Sequence, residues 1–349
     1  MSEGSHATGR TGGIEKMIMT TLVSRRLPGR SGAGALVRAA LALAFAVSCL
    51  LALAPAARAE NITHAELKDL LNQSDNWTYQ LQDAKPRDLA NTFYDVIVMD
   101  AFFGGTKKDI KRLQHMPYGR RRLLLAYFSI GEAETYRDYW KRCCAGSRRP
   151  DWIVNENERW RGNYRVKFWN PAWKKILFAD PNNNYLKKIV DLGFDGIYLD
   201  RIDVYQDFPK GTYADGQTPQ AQMVRLVKEI AHAAHRLNPA MLIVAQNAEE
   251  LASEPDYLTA IDAIAKEDLF YGVDGEGRRN AQGMIDYSVR QLRIAQLAGK
   301  RIMVVEYLRN PQVIESVRTK IMELGFVPNF APRGLEKLQI ENLELEDSH

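Results

Sequence analysis

Four stretches of this chain are apolar almost without interruption: VIVM from Val96, LLLAYF from Leu123, MLIVA from Met241 and IMVV from Ile302. A strand with one face in water alternates apolar and polar residues, whereas a strand covered on both faces has no such need. The runs therefore predict strands of a parallel sheet buried on both sides. With weaker stretches included, eight strands are expected: Trp77 to Leu81, Tyr94 to Asp100, Leu123 to Ile130, Gly196 to Asp200, Met241 to Gln246, Ala263 to Glu267, Ile302 to Tyr307 and Gly325 to Phe330. A short helix over Thr63 to Leu71 precedes them. Helical stretches fall between the strands at Thr106 to His115, Asn182 to Leu192, Gln220 to Leu237, Asn280 to Leu297 and Pro311 to Leu324. The last four each run into a Gly or Asn-Pro break and then a strand, as in LGFDG and LNPAMLIV. Strands and helices in this alternation predict an α/β fold, a (β/α)8 TIM barrel forming a single domain. The alternative, an open doubly wound sheet, would place a Gly-rich phosphate turn after an early strand, and none is present.

The first 59 residues read differently. A basic segment ends at Arg38, residues 39–54 carry no charge, and Pro55 precedes the small-residue pattern Ala57-Arg58-Ala59. This is the pattern of a cleaved signal peptide with the mature chain starting near Glu60, which predicts a secreted or periplasmic protein. An uncleaved anchor would need about 20 apolar residues, more than this run offers. Lipid attachment at Cys49 and a twin-arginine signal at Arg25-Arg26 are lesser alternatives, and translation could equally begin at Met17 or Met19.

The leader also distorts the charge. The whole chain has a formal net charge of +4, but without seven leading Lys/Arg and two Asp/Glu it keeps 40 basic and 41 acidic residues, a net charge of −1. No basic face accompanies Arg120 to Arg122 or Arg148-Arg149, so nucleic acid is not an expected partner, nor is a membrane beyond export; a monomer is expected. Cys143 and Cys144 are adjacent, a spacing that disfavours a bridge, so no disulfide framework is expected. No C-x-x-C pair or His cluster suggests a metal, and no cofactor signature occurs.

One segment breaks the rhythm. Between the third strand and its helix, an insertion over about residues 136–173 carries five of the six tryptophans. Flat, partly apolar rings suit sugar faces, and Trp169 and Trp173 are assigned here to substrate binding.

In a barrel of this kind the active site lies at the C-terminal ends of the strands. Those ends carry Gln80, Asp100, Ser129 with Glu132, Asp200 with Asp203, Gln246 with Asn247, Glu267 with Asp268, Glu306 and Asn329. There is no GxSxG elbow and no histidine or cysteine at any of these ends, which argues against Ser-His-Asp and Cys-His hydrolysis. Paired carboxylates remain, and they suit glycoside cleavage. Asp200 and Glu267 end alternate strands, about twice ~4.8 Å apart along the wall. That spacing spans both the retaining and the inverting carboxylate separations.

Four motifs then carry a resemblance: YFSIGEAETYRDYW (127–140), the tryptophan-rich run from Trp160 to Trp173, GFDGIYLDRIDVY (193–205) and AKEDLFY (265–271). Together and in this order the chain resembles the glycoside hydrolase family 114 type of endo-alpha-1,4-polygalactosaminidase and its bacterial relatives, over most of residues 77–332. The resemblance implies a TIM barrel that cleaves alpha-linked, galactosamine-containing polysaccharide by a retaining mechanism. By position it makes Asp200 the nucleophile and Glu267 the general acid/base. Asp100, Glu132, Asp203 and Asn247 would shape the cleft and hold sugar hydroxyls or amines, and Glu306 is placed with them as the polar end of the seventh strand. The chain departs from its relatives at Arg201, where a smaller residue is common, and at Gln246. The contrasting reading is a carbohydrate-binding or envelope-associated barrel without catalysis, which would keep the tryptophans and not need the acid pair.

Overall fold

The computed structural model describes residues 62–336 apart from 147, 148, 212 and 214. The expected signal peptide lies outside the described residues. Eight parallel strands form one sheet in sequence order: β1 (Trp77–Gln80), β2 (Val96–Asp100), β3 (Leu123–Ser129), β4 (Gly196–Asp200), β5 (Leu242–Gln246), β6 (Ala263–Glu267), β7 (Arg301–Glu306) and β8 (Val327–Phe330). The sheet curls into a nearly closed barrel. At the seam the Trp77 indole Nε1 donates to the Val327 carbonyl at 3.1 Å, and Leu81 N donates to the Leu335 carbonyl at 3.0 Å. The strand expectations hold, with starts at Val96 and Val327 later than the sequence suggested.

Each strand buries both faces, and the period of two sorts its residues into two cores. Leu125, Tyr127, Tyr198, Val244, Ala265, Met303 and Val305 fill the barrel, whose base is plugged by Leu67 and Leu71 from the helix His64–Asn72. Leu124, Ala126, Phe128, Ile197, Leu199, Ile243, Ile264 and Val304 face outward against the helices. The helices begin where capping chemistry allows: Thr106 and Asp109 make a capping box for Lys107–Leu113, and Asn184 caps Tyr185–Leu192. The latter helix ends at Gly193, whose φ of 91° is left-handed.

The insertion is ordered rather than a bare loop. Glu132–Glu134, Asn163–Val166 and Ile153–Glu156 form a three-stranded antiparallel sheet, with the middle segment pairing to both others. It sits tight against the barrel mouth because Gly131 has no side chain: a Cβ there would lie 2.3 Å from the Arg201 carbonyl oxygen.

Cys143 and Cys144 are joined in a disulfide, which corrects the expectation that they stay apart. The helix Asp138–Cys143 ends between them, and Cys144 turns out of helical geometry at φ −137°.

Candidate active site

The ends of β4, β5 and β6 share a backbone habit. Each is followed at once by a residue with left-handed φ: Arg201 (62°), Asn247 (56°) with Ala248 (52°), and Asp268 (52°). Non-glycine residues adopt this region at a cost, and such strain collects at functional sites where surrounding structure enforces it. The sharp turns stop the strands at the barrel mouth and leave Asp200, Gln246 and Glu267 as the last residues of the wall.

These residues line one cleft of about 910 Å³. Asp100, Glu132, Asp200, Asp203, Asn247 and Glu267 all face it. Asp200 is held at both oxygens: Oδ2 accepts from Tyr127 Oη at 2.6 Å and Oδ1 accepts from Arg201 N at 2.7 Å. Glu267 is held in the same style. Tyr307 Oη donates to its Oε1, and Asn247 Nδ2 donates to its Oε2 at 3.0 Å. Asn247 is itself fixed by accepting from Glu267 N at 3.0 Å. Neither Asp200 nor Glu267 has an ion-pair partner among the described residues. Burial pushes the Asp200 carboxyl up to about 7, and the facing Glu267 carboxylate adds to the rise.

The other cleft acids are mostly neutralised. Arg201 meets Glu132 at 3.1 Å, Asp203 at 3.2 Å and Asp207 at 3.5 Å, so one guanidinium ties three carboxylates beside Asp200. Burial works against the charge of Arg201, but Asp203, Glu132, Asp200 and Asp207 together raise its pKa, and it stays a cation. Glu132 is nearly buried; burial raises its pKa, and Arg201 partly offsets that. Asp100 takes both oxygens to Arg137 Nη1, at 2.9 and 2.6 Å, while Arg137 Nε donates to Glu134 at 2.7 Å. Asp268 makes a two-pronged pair with Arg333 at 2.8 and 3.0 Å. Lys266 pairs with Glu249 at 3.2 Å.

Three expected site residues are elsewhere. Glu306 is fully buried on the outward face of β7, and its oxygens accept from Phe270 N at 2.7 Å and Tyr271 N at 3.2 Å. It anchors the chain after β6 and does not line the cleft. Trp173 is completely buried beneath the insertion, with Nε1 donating to the Ile130 carbonyl at 2.8 Å. Trp169 packs edge-on against Phe168 and Phe208, with centroids 4.9 Å away in each case. Trp169 is half-buried among these rings and Trp173 wholly so, and neither lines the cleft, so both serve the packing of the insertion. The tryptophan that reaches the cleft is Trp160, 46% exposed.

Tyr127, Tyr307, Arg137 and Asn157 were not singled out in the sequence. For the tyrosines a signal existed: Tyr127 and Tyr307 fall on the inward face of their strands by the same alternation that brings Asp200 and Glu267 to the mouth. Arg137 and Asn157 belong to the insertion, where no such period operates.

The model of the glycoside-hydrolase family GH114 matches residues 56–343. An uncharacterized protein of Methanocaldococcus jannaschii is 32% identical over 306 residues, covering 82% of this chain and 84% of its own length. An uncharacterized protein of Thermotoga maritima is 32% identical over 286 residues, covering 77% of this chain and 84% of its own. Among solved structures, the glycoside hydrolase domain of PelA from Pseudomonas aeruginosa superimposes with a TM-score of 0.57 at 17% identity, covering 76% of this chain and 97% of that domain. At that identity the likeness speaks to the fold.

Proposed function

The chain belongs to glycoside-hydrolase family GH114 and is a glycoside hydrolase, and from that premise we propose that it cleaves alpha-linked, galactosamine-containing polysaccharide internally and with retention. The observation that carries this reading is the pair Asp200 and Glu267. They end alternate strands, face one cleft, are each oriented by a tyrosine, and lack the cation that neutralises most of their acidic neighbours.

In the proposed first step Asp200 attacks the anomeric carbon while Glu267 gives its proton to the departing glycosidic oxygen, leaving a glycosyl ester on Asp200. In the second, water attacks the anomeric carbon, Glu267 takes the water's proton, and the bond to Asp200 breaks so that Asp200 leaves as carboxylate. The starting state needs one proton on Glu267 and none on Asp200. Burial raises the Asp200 carboxyl to about 7, so its anion predominates above that pH. Hydrogen bonds from Tyr127 and from Arg201 N favour the Asp200 anion. An ammonium group on the substrate would be attracted to the Asp200 carboxylate in a partly dehydrated cleft. We further propose that the protein acts as a monomer outside the cytoplasm, on the strength of the signal-like leader.

The test is release of reducing ends from partly deacetylated alpha-1,4-galactosaminogalactan by wild type, Asp200→Asn and Glu267→Gln. Loss of at least about 10³-fold is expected in each variant. Equal release by all three would remove the pair from the mechanism. Glycan binding without release by wild type would leave the non-catalytic reading. Proton NMR of the first anomer formed distinguishes retention from inversion.

A further inference from the structure

Two aromatic rings stand half-exposed over the cleft, and nothing in the fold explains them. Trp160 and Tyr287 are each 46% exposed and both line it. Trp160 lies on the segment joining β3 to β4, and Tyr287 lies on the helix Gln282–Leu297 joining β6 to β7. Going round the barrel between them one passes the ends of β4, β5 and β6, which hold Asp200, Asn247 and Glu267. The strand ends that carry the acid pair therefore lie between the points where the two ring-bearing segments leave the barrel.

The Trp160 tip is not a loose loop. Asn157 Oδ1 accepts from Arg159 N at 3.0 Å and Trp160 N at 3.3 Å, and Asn157 Nδ2 donates to Glu132 at 2.9 Å. Glu132 pairs with Arg201, the residue after Asp200. A chain of polar contacts thus fixes the Trp160 backbone relative to the proposed nucleophile, and no other aromatic ring stacks on its indole among the described residues.

The two ends differ in charge. Arg159 and Arg161 flank Trp160 in the cleft lining, are exposed, and have no ion-pair partner among the described residues. Toward Tyr287, Ser288 Oγ donates to Glu249 at 2.5 Å, and the adjacent Glu250 lines the cleft, accepting from Tyr205 Oη and Gln206 Nε2 of the segment after β4, with no cation paired to it among the described residues. Resting on the hydrolase reading above, we propose that the cleft holds its polysaccharide between two aromatic platforms of opposite charge. A sugar unit without a free ammonium, such as an N-acetylated one, stacks on Trp160 between the two guanidinium groups. An ammonium-bearing unit occupies the Tyr287 and Glu250 end. The cleft then reads the pattern of N-acetylation along the chain, because a misplaced ammonium meets like charge at one end and loses a carboxylate at the other. An indole and a phenol provide broad apolar faces at small entropic cost, and Tyr and Trp are the residues that most often anchor such contacts.

The test uses the Glu267→Gln protein, so that ligand is not consumed, with two probes: fully N-acetylated and fully deacetylated alpha-1,4-galactosamine hexasaccharides. Calorimetric titration gives affinity, and tryptophan emission reports on Trp160, the one tryptophan more than a third exposed. The N-acetylated probe should blue-shift the emission, and Trp160→Phe should remove that shift. Trp160→Ala should weaken it about tenfold, the scale of one good aromatic contact. Arg159→Gln with Arg161→Gln should improve binding of the deacetylated probe about five- to tenfold relative to the acetylated one, and Glu250→Gln should weaken the deacetylated probe alone. An affinity ratio untouched by the double arginine variant, or affinities unmoved by Trp160→Ala, would overturn the proposal. Hydrolysis by wild type is scored separately. The binding pattern without hydrolysis would sink the enzymatic reading and keep the platforms, whereas hydrolysis without the pattern would sink the platforms alone.

Discussion

The barrel wall and the insertion between β3 and β4 both supply residues to the cleft, and they place them by different rules. On the wall the alternation of side chains decides: Tyr198 faces the axis, so Asp200 two residues on does too, and Ala265 does the same for Glu267. The five tryptophans of the insertion fall outside its three short strands, so no shared alternation sorts them, and they end in opposite environments. Trp173 has no exposed surface, while Trp160, on the same segment, is 46% exposed at the cleft. A residue's position in a regular element forecasts its environment. Its chemical type in an irregular one does not.

The sharpest way to break this contrast is to remove each ring in turn. Trp173→Ala should cost about 3–5 kcal/mol in a denaturant titration, because it leaves a large cavity and an unpaired Ile130 carbonyl. Trp160→Ala should stay within about 0.5 kcal/mol, as expected for an exposed ring with few neighbours. Similar losses for the two would mean that Trp160 packs in the insertion as Trp173 does.

The same contrast explains how much could be read beforehand. The eight strands were legible because burial on both faces leaves a continuous apolar signature, and the acid pair was legible because strand ends converge on one rim. The tyrosines that orient the pair were equally available from the alternation. Glu306 was misplaced by attending to its position at the strand end and ignoring its face: Met303, Val305 and Tyr307 point into the barrel, so Glu306 must point out. Arg137, buried against Asp100 and Glu134, and the tip that carries Trp160 depend on how the three-stranded insert folds over the mouth. That is a tertiary outcome with no local signature. The adjacent cysteines likewise needed the helix end between them to be seen.

Within the wall, Asp200 should show the cost of a functional acid. Its folded pKa, about 7, lies above the ordinary aspartate value of 3.8. A carboxyl raised on folding favours the protonated native state, so stability is lost as pH climbs from about 4 to about 7. Asp200→Asn cannot ionise and escapes that loss. The stability of the variant relative to wild type should therefore improve by on the order of 4 kcal/mol between pH 4 and pH 8, read from urea midpoints. A difference independent of pH would mean that Asp200 ionises freely in the folded protein.

Glu306 gives the smaller and finer test, because it is a wall acid with no place in the cleft. Burial pushes it up to about 8 despite the amide N–H groups of Phe270 and Tyr271 that its two oxygens accept. Glu306→Gln keeps the shape but turns an NH2 toward one of those amides, so at pH 6 the variant should lose about 1–2 kcal/mol for one unmet buried donor. As pH climbs from about 4.5 to about 8 the wild type loses the stability of its neutral buried acid and the glutamine does not, so the deficit should narrow across that range. The sign is the same as for Asp200, but the window lies higher. A deficit that stayed constant from pH 4.5 to pH 8 would show that the native fold accepts the Glu306 anion, and the wall would then contain a second carboxylate held as a charge, away from the site where charge is used.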